Sequence, residues 1–329
     1  MNVLVVGGAG YIGSATIVQL LKAGHKVVAF DNLSHGHPEA IPAGVPLVVG
    51  DIGDADALDG LFKRYPIDVV MHFAALIEAG ESMKAPEQFF RNNTASTLTL
   101  LEAMLRHNVK RLVFSSTAAL FGNPDRVPVA EDAPLQPTNA YGESKLLVER
   151  MLDWLNRIHG LRFVCLRYFN AAGAISPDRG EDHQPESHLV PLILKVALGQ
   201  RDSISVFGTD YPTPDGTCVR DYIHVADLAQ AHLLALDALS EHDRLHFNLG
   251  NGAGFSVREV VEAARKVTGH PIPCIEGPRR PGDPAILVAA SQKIRNELGW
   301  QPRYTSLEEI IRSAWEWHRG HPNGYASAK

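Results

Sequence analysis

The sequence predicts an α/β fold built on a doubly wound parallel sheet, and three observations carry that prediction. Short apolar runs recur at Asn2–Val6, Lys26–Phe30, Pro46–Val49, Ile67–Phe73, Arg111–Ser115 and Phe163–Phe169. Helix-period segments lie between them, which is the alternation a parallel sheet with crossover helices requires. The first run opens directly into the glycine-rich turn Gly7-Gly8-Ala9-Gly10-Tyr11-Ile12-Gly13 and then a helical pattern from about Ile12 to Ala23.

Composition narrows the class. The 329 residues are 45% apolar, enough for one large α/β unit with a lobe or for two domains. The net charge of −6 with no basic tract argues against a nucleic-acid surface. No apolar run approaches the ~18 residues of a membrane span, and a strand at the very start leaves no room for a leader peptide. Cys165, Cys218 and Cys274 have no metal-ligand spacing and read as thiols of a reducing compartment, so the cytoplasm is the expected location and no metal site is indicated.

The first turn has glycines in two registers, 7-10-13 and 8-10-13. Either brings backbone close to a pyrophosphate at a helix N-terminus, where N–H groups and a partial positive charge favour an anion. An ordinary tight βα turn is the plainer reading of the glycines taken alone. The second strand ends at Asp31, eighteen residues beyond Gly13. A carboxylate there accepts from the adenosine ribose diol and repels a 2′-phosphate, favouring NAD over NADP. The third strand ends in Asp51-Ile52, which suits either an adenine edge or a cap for the next turn. The fourth is followed by Ala74-Ala75, small enough for a cofactor to lie close. A helix from about Pro86 to His107 carries Asn92 and Asn93, and Asn93 can serve main chain or cofactor.

The fifth strand ends Ser115-Ser116-Thr117, placing hydroxyls where such sheets bind ligands. After the loop Phe121–Asn139 comes Tyr141-Gly142-Glu143-Ser144-Lys145, with a helical pattern running on. Tyrosine and lysine four apart share one helix face. An ammonium beside a phenol, whose ordinary pKa is about 10, is expected to lower it toward the range of a general base. A solvated surface pair has the same spacing.

The glycine-rich turn, Asp31, the Ser-Ser-Thr strand end and Tyr-x-x-x-Lys, in this order and spacing, resemble the extended short-chain dehydrogenase/reductase family. Gly80-Glu81-Ser82, Tyr168-Phe169-Asn170-Ala171-Ala172-Gly173-Ala174, Phe207–Thr217, Arg220–Val225 and Arg280-Pro281-Gly282-Asp283 narrow the resemblance to its UDP-hexose 4-epimerases, over nearly the whole chain. Thr117-Ala118-Ala119 lacks the acid that the family's dehydratases carry after the strand-end hydroxyl. Oxidation and re-reduction of the sugar at C4, with retained NAD, is then the implied activity. Close alternatives are an epimerase of UDP-N-acetylhexosamines and a reductase that releases its cofactor.

The resemblance implies roles residue by residue. Tyr141, Lys145 and Thr117 would be catalytic. NAD would meet Gly7, Gly10, Tyr11, Ile12, Gly13, Asp31, Asn32, Asp51, Ile52, Phe73, Ala74, Ala75, Asn92, Ser115, Tyr141, Lys145, Tyr168 and Phe169. The UDP-hexose would meet Thr117, Tyr141, Asn170, His188, Leu189, Ser205, Val206, Phe207, Arg220, Arg280 and Asp283. The two arginines suit a diphosphate; by themselves Arg220 and Arg280 would equally pair with Asp221 and Asp283. His188 stands where family members often have asparagine, Thr117 where many have serine.

The expected domains are 1–174, binding NAD with a probable return of 220–250, and a UDP-sugar lobe of 175–329. In the lobe a polar loop at Ile175–His188 precedes a helix at about Leu189–Leu198, and Ser205–Phe207 forms a short strand. Helices are also expected at Val225–Leu239, Ser256–Thr268 and Leu307–His318, with a strand at Leu245–Leu249. A homodimer through the helices Pro86–His107 and Tyr141–His159 is implied by the resemblance; the same apolar faces would otherwise pack inside one chain.

Overall fold

The structure, a computed structural model, describes residues 1–280 and 283–325, so Pro281 and Gly282 of the Arg280–Asp283 motif lie outside the described residues. The chain divides into two compact units. The first comprises Met1–Gly122, Leu135–Arg167 and Ala229–Phe247; the second comprises Asn123–Pro134, Tyr168–Leu228 and Asn248–Lys329.

A seven-stranded sheet organises the first unit. Its strands are β1 (Asn2–Val6), β2 (Lys26–Asp31), β3 (Leu47–Val49), β4 (Val69–His72), β5 (Arg111–Thr117), β6 (Arg162–Tyr168) and a last strand, Arg244–Leu249. Across the sheet they run β3-β2-β1-β4-β5-β6 and then Arg244–Leu249. The pairs β1–β2, β2–β3, β1–β4 and β4–β5 are all parallel. The chain winds outward from β1 to β3 and then resumes on the other side with β4. That reversal opens a crevice at the carboxyl ends of β1 and β4, where open α/β sheets bind ligands. The central strands β1, β4 and β5 are buried on both faces, which is why they read as continuous apolar runs, whereas the edge strand β3 is half-buried. Leu4, Val6, Val70, Leu112, Phe114 and Phe163 form the core with Leu100, Met104 and Leu152 from the covering helices.

Local chemistry sets the helices. Helix α1 (Tyr11–Lys22) starts at Gly10 without a side-chain cap. The helix Ala55–Arg64 is capped by Asp54, whose side chain accepts from the Asp56 and Ala57 amides. The helix Ala140–His159 is capped by Asn139 and ends at Gly160 in the left-handed region. The expected Pro86–His107 helix is present with an irregularity: Pro86–Phe89, a π-helical stretch Phe90–Ala95, and Ser96–Arg106. The π stretch carries Asn92 and Asn93. Asn93 is buried and uses its amide on Leu76 and the Ser144 hydroxyl. β5 runs two residues further than the apolar pattern indicates, so Thr117 is its last residue.

The second unit has its own core, built by Ile193, Leu194, Val260, Val261, Ala264, Ile310 and Ile311 from the helices Leu189–Ala197, Val257–Thr268 and Leu307–Gly320. A reciprocal capping box between Ser256 and Glu259 starts Val257–Thr268. Its strands are short: Ile204–Phe207 pairs in parallel with Cys274–Gly277, and Asn170–Ala172 with Tyr222–His224. Val219–Arg220 lies between Phe255–Ser256 and Ile286–Leu287.

Candidate active site

The turn after β1 is a cradle made of backbone. Gly7 has φ +76°, and a Cβ there would stand 2.5 Å from the Ala74 amide nitrogen. A Cβ on Gly13 would run into the Gly7 carbonyl oxygen, and one on Gly8 would come within 2.9 Å of Val5 O and the Ala29 methyl. Glycines of both registers are therefore required, and Gly10 is the least constrained of them. The Gly7 amide donates to Phe30 O at 2.8 Å, tying the turn to β2. Phe73 and Ala74 both donate to Val6 O, at 2.8 and 3.2 Å, closing the cradle from β4.

Asp31, Asn32 and Asp51 gather at the ends of β2 and β3. The buried Asp31 carboxylate accepts from the Ala9 and Leu33 amides, each at 2.9 Å. Burial raises its pKa, against the pull of those two bonds. Asn32 Nδ2 donates to Asp51 Oδ2 at 2.8 Å, and Asp51 Oδ1 accepts from the Gly53 amide at 2.7 Å. Asp51 thus shapes the turn, whereas Asp54 caps the helix. Ile52 is buried beside it. Asn92 Nδ2 donates to Asn93 Oδ1 at 2.9 Å. These residues fit a dinucleotide. A turn with no room for a Cβ at Gly7, Gly8 or Gly13 sits under an uncapped helix start, and a carboxylate that still has lone pairs to offer lies at the next strand's end.

Thr117 and Tyr141 come together as the strand-end hydroxyl and the helical phenol. The Thr117 side chain hydrogen-bonds the phenol, and its oxygen also accepts from the Ala119 amide at 3.1 Å. Tyr141 behaves otherwise than the spacing argument expects. Its pKa is raised: burial dominates, Glu78 adds to it, and the Thr117 bond opposes. Lys145 is not among the groups that act on it. The lysine is 2% exposed, with Nζ 4.5 Å from the centre of the Phe114 ring. Burial drives the Lys145 pKa down to about 7, against the pull of Cys165 and Glu149. Desolvation costs both groups their charged forms, so within the protein alone the pair is poised and not yet activated.

A buried ion pair lies one turn further along the same helix. Glu149 takes Arg167 in a two-point contact, Nε to Oε1 at 3.0 Å and Nη2 to Oε2 at 2.6 Å. Ser116 Oγ donates to the same Oε1 at 2.6 Å. His72, at the end of β4, is buried, and its Nε2 lies 2.9 Å from the Thr97 hydroxyl. Thr97 itself donates to Asn93 O, which leaves its oxygen to accept and puts the proton on Nε2. Burial first, and then Lys145, hold His72 down to about 3, so it is neutral. Sequence reasoning missed Ser116, Glu149, Arg167, His72 and Glu78. For Glu149 the signal was available, since it stands four residues after Lys145 on the same face.

In the second unit Arg220 and Asp283 meet, Nη2 to Oδ1 at 3.7 Å, and Arg220 Nη1 donates to Val219 O and Pro284 O. Among the described residues the side-chain ion pairs within each motif do not form, although the Asp283 amide donates to Arg280 O at 3.3 Å. Asp221 instead accepts from the amides of Asn251, Gly252 and Ala289, and Arg280 lies over the Phe207 ring at 4.2 Å. Ser205, Val206 and Phe207 sit in the strand Ile204–Phe207, with Val206 buried. Asn170 opens its short strand and donates its amide to Asp221 O; Tyr168 and Phe169 precede it, half-buried. His188 is the N-cap of Leu189–Ala197 and turns its ring toward Glu181 and Glu186. Within the first unit Ser115 is buried and Ala75 half-buried.

With this geometry in hand, comparison with known proteins is specific. The model of the NAD dependent epimerase/dehydratase family matches residues 3–250. The chain is 54% identical over 329 residues to the UDP-glucose 4-epimerase of Halalkalibacterium halodurans, covering 99% of this chain and 98% of that one. A crystal structure of a UDP-glucose 4-epimerase superposes with a TM-score of 0.97 at 50% identity, covering 99% and 100% of the two chains. The Bifidobacterium longum UDP-glucose 4-epimerase, solved with NAD+ and UDP, gives 0.95 at 40% identity, again covering 99% and 100%.

Proposed function

The chain belongs to the NAD dependent epimerase/dehydratase family, and from that premise we infer that it interconverts UDP-glucose and UDP-galactose with NAD as its cofactor. High identity over the full length to UDP-glucose 4-epimerases supports the reaction. The single observation that supports the residue roles is the hydrogen bond between the Thr117 and Tyr141 side chains, with Lys145 buried one turn along the same helix.

NAD, held by the glycine turn and Asp31, would supply hydride transfer at sugar C4 and a positive ring charge. The residues of the chain do the rest. Tyr141 removes the proton of the 4-hydroxyl, and Thr117 orients that hydroxyl through the bond it now makes to the phenol. The phenol requires a nearby positive charge because burial pushes its pKa up. Lys145, close to neutrality in its pKa, holds or yields a proton at little cost. Arg220 and Arg280 grip the diphosphate, and Asp283 takes the uridine ribose. Fixing the substrate at its nucleotide end frees the hexose to present either face of C4, while the reacting atoms stay within the short range that catalysis by positioning demands.

We also propose a homodimer, on one feature of the first unit. Trp154 and Ile158 stand 63% and 68% exposed on the helix Ala140–His159, and Leu98 39% exposed on Ser96–Arg106. Large apolar side chains clustered on these helices suit burial by a second copy. A cytoplasmic location agrees with three free thiols.

The decisive experiment uses Tyr141→Phe with UDP-galactose and no added cofactor, following product by NMR. Turnover should fall by about 10²–10⁴ or more with NAD still bound. Near-normal epimerisation would overturn the assignment.

A further inference from the structure

The polar loop before the helix Leu189–Ala197 repeats a short unit: Glu181-Asp182-His183 and Glu186-Ser187-His188. Folding brings the two repeats face to face. One carboxylate oxygen from each glutamate and one ring nitrogen from each histidine lie within 4.8 Å of one another. Nδ1 of His183 is 3.2 Å from Glu181 Oε1 and 4.0 Å from Glu186 Oε2. Nδ1 of His188 is 2.8 Å from Glu181 Oε1 and 3.2 Å from Glu186 Oε1. The glutamate side chains are only 5% and 2% exposed and the His183 and His188 rings 18% and 37%, so two buried acids are covered by two rings that reach the surface, unlike a solvated acidic patch.

We propose that Glu181, His183, Glu186 and His188 bind one divalent first-row cation, zinc(II) by their donor set, which staples the loop to the start of the following helix. Two imidazole nitrogens and two carboxylate oxygens are a ligand set that zinc takes in four-coordinate, tetrahedral form. Bonds of about 2.0–2.2 Å to such a centre put neighbouring donors roughly 3.3–3.6 Å apart. The nitrogen–oxygen separations here, 2.8 to 4.0 Å with either oxygen of Glu186 in reach, bracket that spacing. Simple ion pairs would point each ring N–H at one oxygen. Instead His188 Nδ1, though buried and between two carboxylate oxygens, has neither in hydrogen-bonding geometry. His188 is also the N-cap of the helix and makes no side-chain cap bond there, so its side chain is committed to the cluster.

The test uses the full-length, tag-free protein after exhaustive chelation, titrated with Zn(II) and, separately, Co(II). One equivalent of Zn(II) per chain should bind and raise the thermal midpoint. Co(II) should give the intense ligand-field bands of a tetrahedral centre without a thiolate charge-transfer band. His183→Gln and Glu186→Gln should each weaken Zn(II) binding by about 100-fold or more, since even residues that merely support metal ligands contribute ~10–100-fold. Cys274→Ser, at the exposed thiol, should leave binding unchanged. Absence of a saturable single site, binding of wild-type strength by either ligand variant, or a thiolate band would each overturn the proposal. If the ligand variants fail to fold, the wild-type stoichiometry and Co(II) spectrum decide it alone.

Discussion

Lys145 is buried with its pKa driven down to about 7, whereas in the unfolded chain it titrates near the ordinary lysine value of 10.5. Between these two values the unfolded chain holds a proton that the native protein has shed. Stability conferred by the folded site therefore rises with pH across that window, with a limiting slope of about 1.4 kcal/mol per pH unit. Urea unfolding of cofactor-stripped protein at pH 7 and pH 9 should show this rise in wild type and lose that component in Lys145→Met. Equal pH dependence in the two proteins would mean that the lysine is not desolvated. Gly13 is tested more simply. Its Cβ has no room beside the Gly7 carbonyl, so Gly13→Val should displace the turn and abolish NAD retention, read by cofactor absorbance after gel filtration.

At the scale of elements, the helix Ala140–His159 does two jobs through one face. Tyr141 and Lys145 occupy its first turns, and Glu149, a further turn on, locks it to β6 through Arg167 and to β5 through Ser116. Removing one member of a buried ion pair strands the other, at roughly 3–5 kcal/mol. Glu149→Gln and Arg167→Met should each cost about that much in denaturant unfolding. The double variant should cost clearly less than the sum, because no charge is left alone. Strict additivity would show the two side chains to be energetically independent. The π-helical stretch before Ser96 has a comparable local logic. An extra residue in the turn places Asn93 inward, where its amide joins the backbone at Leu76 to the Ser144 hydroxyl. Such insertions recur near functional sites.

For the whole molecule, the proposed dimer makes a plain prediction. Trp154→Asp with Ile158→Asp should shift the sedimentation coefficient to that of a single chain, with the far-UV circular dichroism unchanged. A wild-type protein already monomeric at micromolar concentration would end the proposal. The two compact units also differ in how readable they were. The central strands of the first are buried on both faces and separated by helices, so each announces itself as an apolar run. In the second unit the strands are two to four residues long. Segments that short carry no periodicity, and only folding shows which of them pair.

The sequence by itself determined the wound sheet, the glycine cradle, the acid at the end of β2 and the Tyr-x-x-x-Lys helix, because each depends on spacing along one or two neighbouring elements. Tertiary structure alone decided how those groups are charged and partnered. It raised the Tyr141 pKa where spacing argued for a fall, and it joined Arg220 to Asp283 and Arg280 to the Phe207 ring in place of the pairings within each motif. It also folded two Glu-x-His repeats into one interior cluster. The physical reason is common to all three. Burial and contacts between distant residues set the energy of a charge, and neither is a function of distance along the chain.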